Sequence, residues 1–147
     1  MAGPFHEFVR DAFPNLTSEN YRITSPTSWE YNCIVWAVGI TDNWWWPVLG
    51  RFWPPDVPRE ETLEAFLAAF TTYGFSLCTS PDVESRLEKI ALYSLEAIPT
   101  HATRQLSNGW WTSKLGPSFD IEHSNLEALA GGVYGDPVAF LCREIVT

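Results

Sequence analysis

The stretch Cys33-Ile34-Val35-Trp36-Ala37-Val38-Gly39 constrains the fold of this chain more than any other. It is entered from a polar turn, Ser25-Pro26-Thr27-Ser28, through Trp29-Glu30-Tyr31-Asn32. From Ile34 onward the apolar residues run all round rather than along one stripe, which predicts a helix enclosed by the rest of the domain. Cys33 then falls in the first turn. Unpaired N–H groups and the positive end of the macrodipole there favour thiolate over thiol, lowering the pKa from its free value of ~8.5. Most lone cysteines are small apolar core residues. Two features favour a nucleophile instead: the polar-to-apolar position of Cys33, and His101 far downstream at the head of a strand-like segment.

A chain of 147 residues makes one domain, 1–147, with enough length for a proper core. Eighteen acidic against nine basic residues give a net charge of −9. A field of that sign repels phosphate backbones and anionic lipid, which disfavours nucleic-acid and membrane partners. The N-terminus has neither the basic start nor the apolar core of a signal peptide, and no apolar run approaches membrane-spanning length, so a soluble, cytoplasmic protein is expected. Cys33, Cys78 and Cys142 make no paired framework and no Cys-x-x-Cys, which predicts free thiols and no structural zinc.

Phe5, Phe8, Val9, Ala12 and Phe13 have helical spacing, closed by Pro14. Trp44-Trp45-Trp46-Pro47 and Phe52-Trp53-Pro54-Pro55 cannot form regular structure, so these tryptophans are expected mostly buried beneath a long loop, with an indole bordering the site. Arg59 to Tyr73 reads as a helix, with Leu63, Phe66, Leu67 and Phe70 on one side and Gly74 as the cap. Strands are expected over 75–78, 88–95, 100–106, 110–115 and 137–146. Residues 15–28 read as polar and turn-rich, and Ser124 with Glu127 as the capping box of a short helix that follows Ser118-Phe119-Asp120-Ile121-Glu122-His123. Asn108-Gly109 predicts a two-residue hairpin. That turn would pair Thr103 with Lys114, placing Lys114 on the face of His101 and pointing Ser113 away.

Helices first and antiparallel strands afterwards predict an α+β domain, with a central N-terminal helix packed on an antiparallel sheet of four to five strands. Cys33 on the helix layer and His101 on the sheet layer would meet at a cleft, as a cysteine–histidine hydrolase requires. At this point the chain resembles the papain-like superfamily, in which a cysteine opens the central helix and a histidine starts a later strand. It is also similar to a family of uncharacterised small bacterial and fungal proteins. Their shared words appear as Tyr31-Asn32-Cys33-Ile34-Val35-Trp36-Ala37, Lys89-Ile90-Ala91-Leu92-Tyr93, Thr100-His101-Ala102, Trp111-Thr112-Ser113-Lys114-Leu115-Gly116 and Asp120-Ile121-Glu122-His123.

The papain-like resemblance implies peptidase, amidase or acyltransferase chemistry on a small-molecule or peptide amide, with no cofactor and no metal. Cys33 would be the nucleophile, His101 the base and acid, and Asp120, or His123 in its place, the group that orients His101. The glutamine that many papain-like enzymes place before the cysteine is missing. Backbone N–H groups, with Tyr31, Asn32, Trp45, Lys114 or His123 assisting, would serve as the substrate and oxyanion contacts. Two other readings stand beside it. One is an inactive papain-like binding module using the tryptophan loop, and the other a metal site of Cys33, His101, His123 and Asp120.

Overall fold

A computed structural model describes residues 12–17, 19–25, 34, 37, 45–47, 53–115 and 120–145. Where β-branched, aromatic and aliphatic residues dominate, the chain is extended: β1 (Tyr21–Ser25), β2 (Ser76–Cys78), β3 (Leu87–Leu95), β4 (Ile98–Gln105), β5 (Trp111–Lys114), β6 (Asp120–His123) and β7 (Asp136–Glu144). Helix α1 (Leu63–Thr71) starts at Thr62, whose hydroxyl accepts the Ala65 N–H at 3.2 Å, and ends before Gly74 at φ +89°. A 3₁₀ turn, Leu126–Leu129, is capped by the Asn125 side chain rather than by Ser124.

All seven strands form one antiparallel sheet in the order β1-β6-β5-β4-β3-β7-β2. This corrects the expected central helix on a papain-like sheet of four to five strands. The sheet is the organising element. Two segments too short and polar to declare themselves, Tyr21–Ser25 and Asp120–His123, pair with each other and extend it. Their hydrogen bonds come from neighbouring strands, which local alternation cannot reveal.

The pleat divides the sheet into two buried faces, each with its own core. On one face Ile90, Leu92, Ala102, Ala139 and Leu141 pack with Phe66 and Phe70 of α1, with Trp45 and Trp53, and with Ile34 and Ala37, whose backbone is helical. Phe66 is fully buried, with the Trp46 and Trp53 rings each 5.2 Å away, and truncating it would cost about 3–5 kcal/mol. On the other face Ala91, Tyr93, Trp111 and Ile121 pack with Ala12, Phe13 and Leu16 and with the 3₁₀ turn. We call these the helix face and the turn face. Among the described residues no helix is long and apolar enough to cross a membrane.

The β4–β5 hairpin differs from its expectation by one residue. Leu106 N–H donates to the Trp110 carbonyl at 2.6 Å and Gly109 N–H to the Leu106 carbonyl at 3.0 Å, so the loop is the three residues Ser107 to Gly109, with Gly109 at φ +90°. That is a tight turn followed by a bulge glycine, not a two-residue loop. Arg104 therefore pairs with Thr112 and Gln105 with Trp111. A shift of one residue exchanges the faces: Ser113 turns toward His101, and Lys114 turns away.

The β3–β4 turn, by contrast, has two residues, and both Glu96 (φ 53°) and Ala97 (φ 70°) are left-handed. Gly135, at φ +74°, faces this hairpin so closely that a Cβ would sit 2.0 Å from the Ser94 carbonyl oxygen. Gly135→Ala should therefore lower stability by at least about 2 kcal/mol. Gly109→Ala, whose Cβ would meet nothing nearer than 4.0 Å, should cost only ~1 kcal/mol of left-handed strain. Urea unfolding midpoints of the two variants check the difference.

Candidate functional site

Four polar side chains meet on the turn face: His101 and Thr103 from β4, Ser113 from β5 and His123 from β6, all fully buried. They converge because alternate residues of a strand point the same way, and because the three-residue hairpin loop puts Ser113 in step with Thr103. Ser113 is the hub. Its Oγ lies 3.0 Å from His101 Nε2, 2.8 Å from His123 Nε2 and 2.7 Å from Thr103 Oγ1.

The protons can be assigned from the partners. His123 Nδ1 is 2.9 Å from the Asn125 carbonyl, which only accepts, so Nδ1 carries the hydrogen and Nε2 of the neutral ring is an acceptor. Thr103 spends its hydroxyl proton on the Thr112 carbonyl at 2.8 Å. The Ser113 hydroxyl donates to Thr103 Oγ1 at 2.7 Å, with His123 Nε2 at 2.8 Å as the competing acceptor of the same proton. His101 donates its Nε2–H to Ser113 Oγ. Its Nδ1 keeps a bare lone pair, buried and without a hydrogen-bond partner. The His101 ring stacks on Tyr134 at 4.0 Å and 5°, with Tyr93 edge-on at 5.6 Å.

Burial first, and then the His123 charge, hold His101 well below the ordinary histidine value. Burial pulls His123 down to about 4, against the opposing hydrogen bond to Asn125. Both rings are neutral at pH 7 and sealed from solvent. The arrangement relays hydrogen bonds among these four side chains within the core.

The other anticipated residues fall elsewhere. Lys114 and Asp120 face each other directly across β5 and β6. Both are fully buried, and the pleat puts them on the helix face with Ala102, Ile34 and Ala37. Asp120 therefore does not share a face with His101, and the structure brings His101 to Ser113 and His123 instead. Trp45 is 1% exposed and packs against the Tyr73 ring at 5.0 Å, as a core residue rather than the wall of an open cleft. Cys33, Tyr31, Asn32 and Trp44 lie outside the described residues. Among the described residues no three His, Cys, Asp or Glu side chains gather as a metal site.

A family described as a domain of unknown function, DUF7689, matches residues 22–142. The chain belongs to this family. The match runs from β1 into β7, so the DUF7689 region reaches all seven strands and includes both polar groups described above. No curated protein and no solved structure matches the chain. Sequence reasoning missed Ser113 as the hub of this DUF7689 domain. The signal that could have found it was Ser107, which makes Ser107-Asn108-Gly109 a three-residue loop and sets the register.

Ser113→Ala would leave three buried partners short of a bond and should cost about 2 kcal/mol. Both histidines also have folded-state pKa values below the unfolded ~6.5, so the unfolded chain binds more protons in mild acid. Their contribution is complete above ~6.5 and is lost as pH falls, His123 alone removing ~2 kcal/mol by about pH 5. Unfolding midpoints at pH 7 and pH 5 should diverge, and His123→Gln should reduce the divergence.

Proposed function

We propose that this protein is a cysteine-dependent amide hydrolase or acyltransferase, with Cys33 as nucleophile and Lys114 and Asp120, rather than His101, as its charged partners. One observation supports this reading. Ile34, next in sequence to Cys33, packs on the helix face of the sheet, and Lys114 and Asp120 are wholly buried on that same face. A buried lysine and aspartate are costly to retain unless they are paired with other groups or used in chemistry. His101, the partner expected from chain order, faces the opposite side.

In this reading the Lys114 ammonium favours the Cys33 thiolate, and Asp120 holds the lysine across the β5–β6 ladder. The thiolate attacks the carbonyl carbon of an amide and the C–N bond breaks. The amine departs with a proton from Lys114, and water or a second amine cleaves the thioester. The free thiols of Cys78 and Cys142 are compatible with a reducing compartment for this chemistry.

The test is the rate at which iodoacetamide alkylates each cysteine of the folded protein well below the ordinary thiol pKa of ~8.5, read by peptide mass analysis. Cys33 should react about tenfold faster than Cys78 or Cys142, Lys114→Met should abolish the difference, and Ser113→Ala, on the other face, should preserve it. Labelling of Cys33 no faster than that of free cysteine would sink the enzymatic reading. Loss of the difference in Ser113→Ala alone would return the role to the histidine side.

A further inference from the structure

The edge formed by β7 and β2 carries a second group of reactive side chains that the acyl transfer proposed above leaves unused. Cys142 on β7 lies directly opposite Lys89 of β3 on one side and Ser76 of β2 on the other. Cys78, two residues further along β2, pairs with Phe140, so the two cysteines are diagonal neighbours on the turn face. Both are free and half-buried. Lys89 is only 1% exposed. Its ammonium donates to the Ser80 carbonyl at 2.9 Å and pairs with the Glu84 carboxylate. The Cys78 thiol points at the same Ser80 carbonyl, 3.9 Å away. One carbonyl oxygen thus gathers a thiol and a buried cation beside a second thiol.

The two sulfurs are not equivalent. Burial, and after it the hydrogen bond and charge of Cys142, raise the Cys78 thiol above its ordinary value, while Lys89 acts in the opposite sense. Cys78 therefore keeps its proton, turned toward the Ser80 carbonyl, while Cys142 stands directly opposite the Lys89 cation as the sulfur placed to attack. That is the division of labour a dithiol needs, with one thiolate to attack and one thiol to follow.

We propose that Cys78 and Cys142, with Lys89 beside them, form a reversible dithiol–disulfide site whose oxidant is a hydroperoxide. The Cys142 thiolate attacks the terminal peroxide oxygen. The O–O bond breaks, the sulfur gives two electrons to the peroxide and becomes a sulfenic acid, and the leaving oxygen takes a proton to depart as water or alcohol. Cys78 then attacks the sulfenic sulfur. An S–S bond forms, the S–O bond breaks, and the hydroxide leaves as water with the Cys78 proton. Diagonal neighbours stand ~7–8 Å apart, at or beyond the ~7 Å Cα separation that a disulfide spans without backbone movement. Closing the bond draws β2, an edge strand of three residues whose one neighbour among the described residues is β7, across the sheet. A bond under that load is easily reduced again, so it works as a switch rather than a staple.

The experiment treats the reduced, folded Cys33→Ala protein with one equivalent of hydrogen peroxide and maps its peptides without reduction. The expected product is the Cys78–Cys142 link within one chain, and Cys78→Ser should instead leave a Cys142 sulfenic acid that dimedone traps. Lys89→Met should slow the reaction about tenfold and Lys89→Arg should restore it. Should Lys89→Met fail to fold, Glu84→Gln serves instead: it removes an exposed carboxylate from the ammonium and should speed the reaction. Oxidation that yields only links between chains, or that proceeds equally fast in the urea-unfolded protein, overturns the proposal. An unchanged rate in both Lys89→Met and Glu84→Gln does so as well.

Discussion

The structure depends on one constraint: a sheet buried on both faces must find a partner for every side chain on either side. With a period of two, one residue of register decides which core each side chain enters. The hairpin at Ser107-Asn108-Gly109 makes that decision for the strands that carry the polar residues. It delivers Ser113 to the two histidines, and Lys114 with Asp120 to the face where Ile34 and Ala37 pack. A two-residue loop would have buried Lys114 against imidazoles and sent Ser113 into the aliphatic core.

Each face handles its polar groups differently. On the turn face His101, Thr103, Ser113 and His123 are neutral and satisfy one another through a single hydroxyl, the cheaper way to carry polarity into a core. On the helix face the polar groups are ionisable and of opposite formal charge. Desolvation makes groups of that kind expensive, which is the property the proposed acyl transfer draws on. A histidine is the residue first suspected of catalysis, yet here burial and ring stacking enclose it while a lysine and an aspartate occupy the face where Ile34 and Ala37 pack.

Long periodic elements were legible in the sequence. Leu63, Phe66, Leu67 and Phe70 announce α1, and the alternation from Lys89 to Leu95 announces β3, because in both the burial pattern is written locally. Gly74 is found at the left-handed position its role as a cap required. The edge pair of β1 and β6 was not legible. Arg22 and Glu122 owe their extended backbone to each other, across a hundred residues, and each segment alone reads as polar turn. The site suffered a narrower failure. His101, Lys114, Asp120 and His123 were singled out and Ser113 was turned away from them, because the sharing of faces hung on counting the loop as two residues instead of three.

The strand order also sets a sequence of events in time. β3, β4, β5 and β6 form a meander whose pairings close over short loops, so they can assemble early, before the chain ends are recruited. β1 must wait for β6, and β2 must wait for β7, because among the described residues neither has another neighbour. During that interval the outer edges of β6 and β7 are open to any extended chain that reaches them first. The β1 segment left free at this stage is therefore the piece that a second copy could donate in exchange, giving an intertwined dimer without a single new contact.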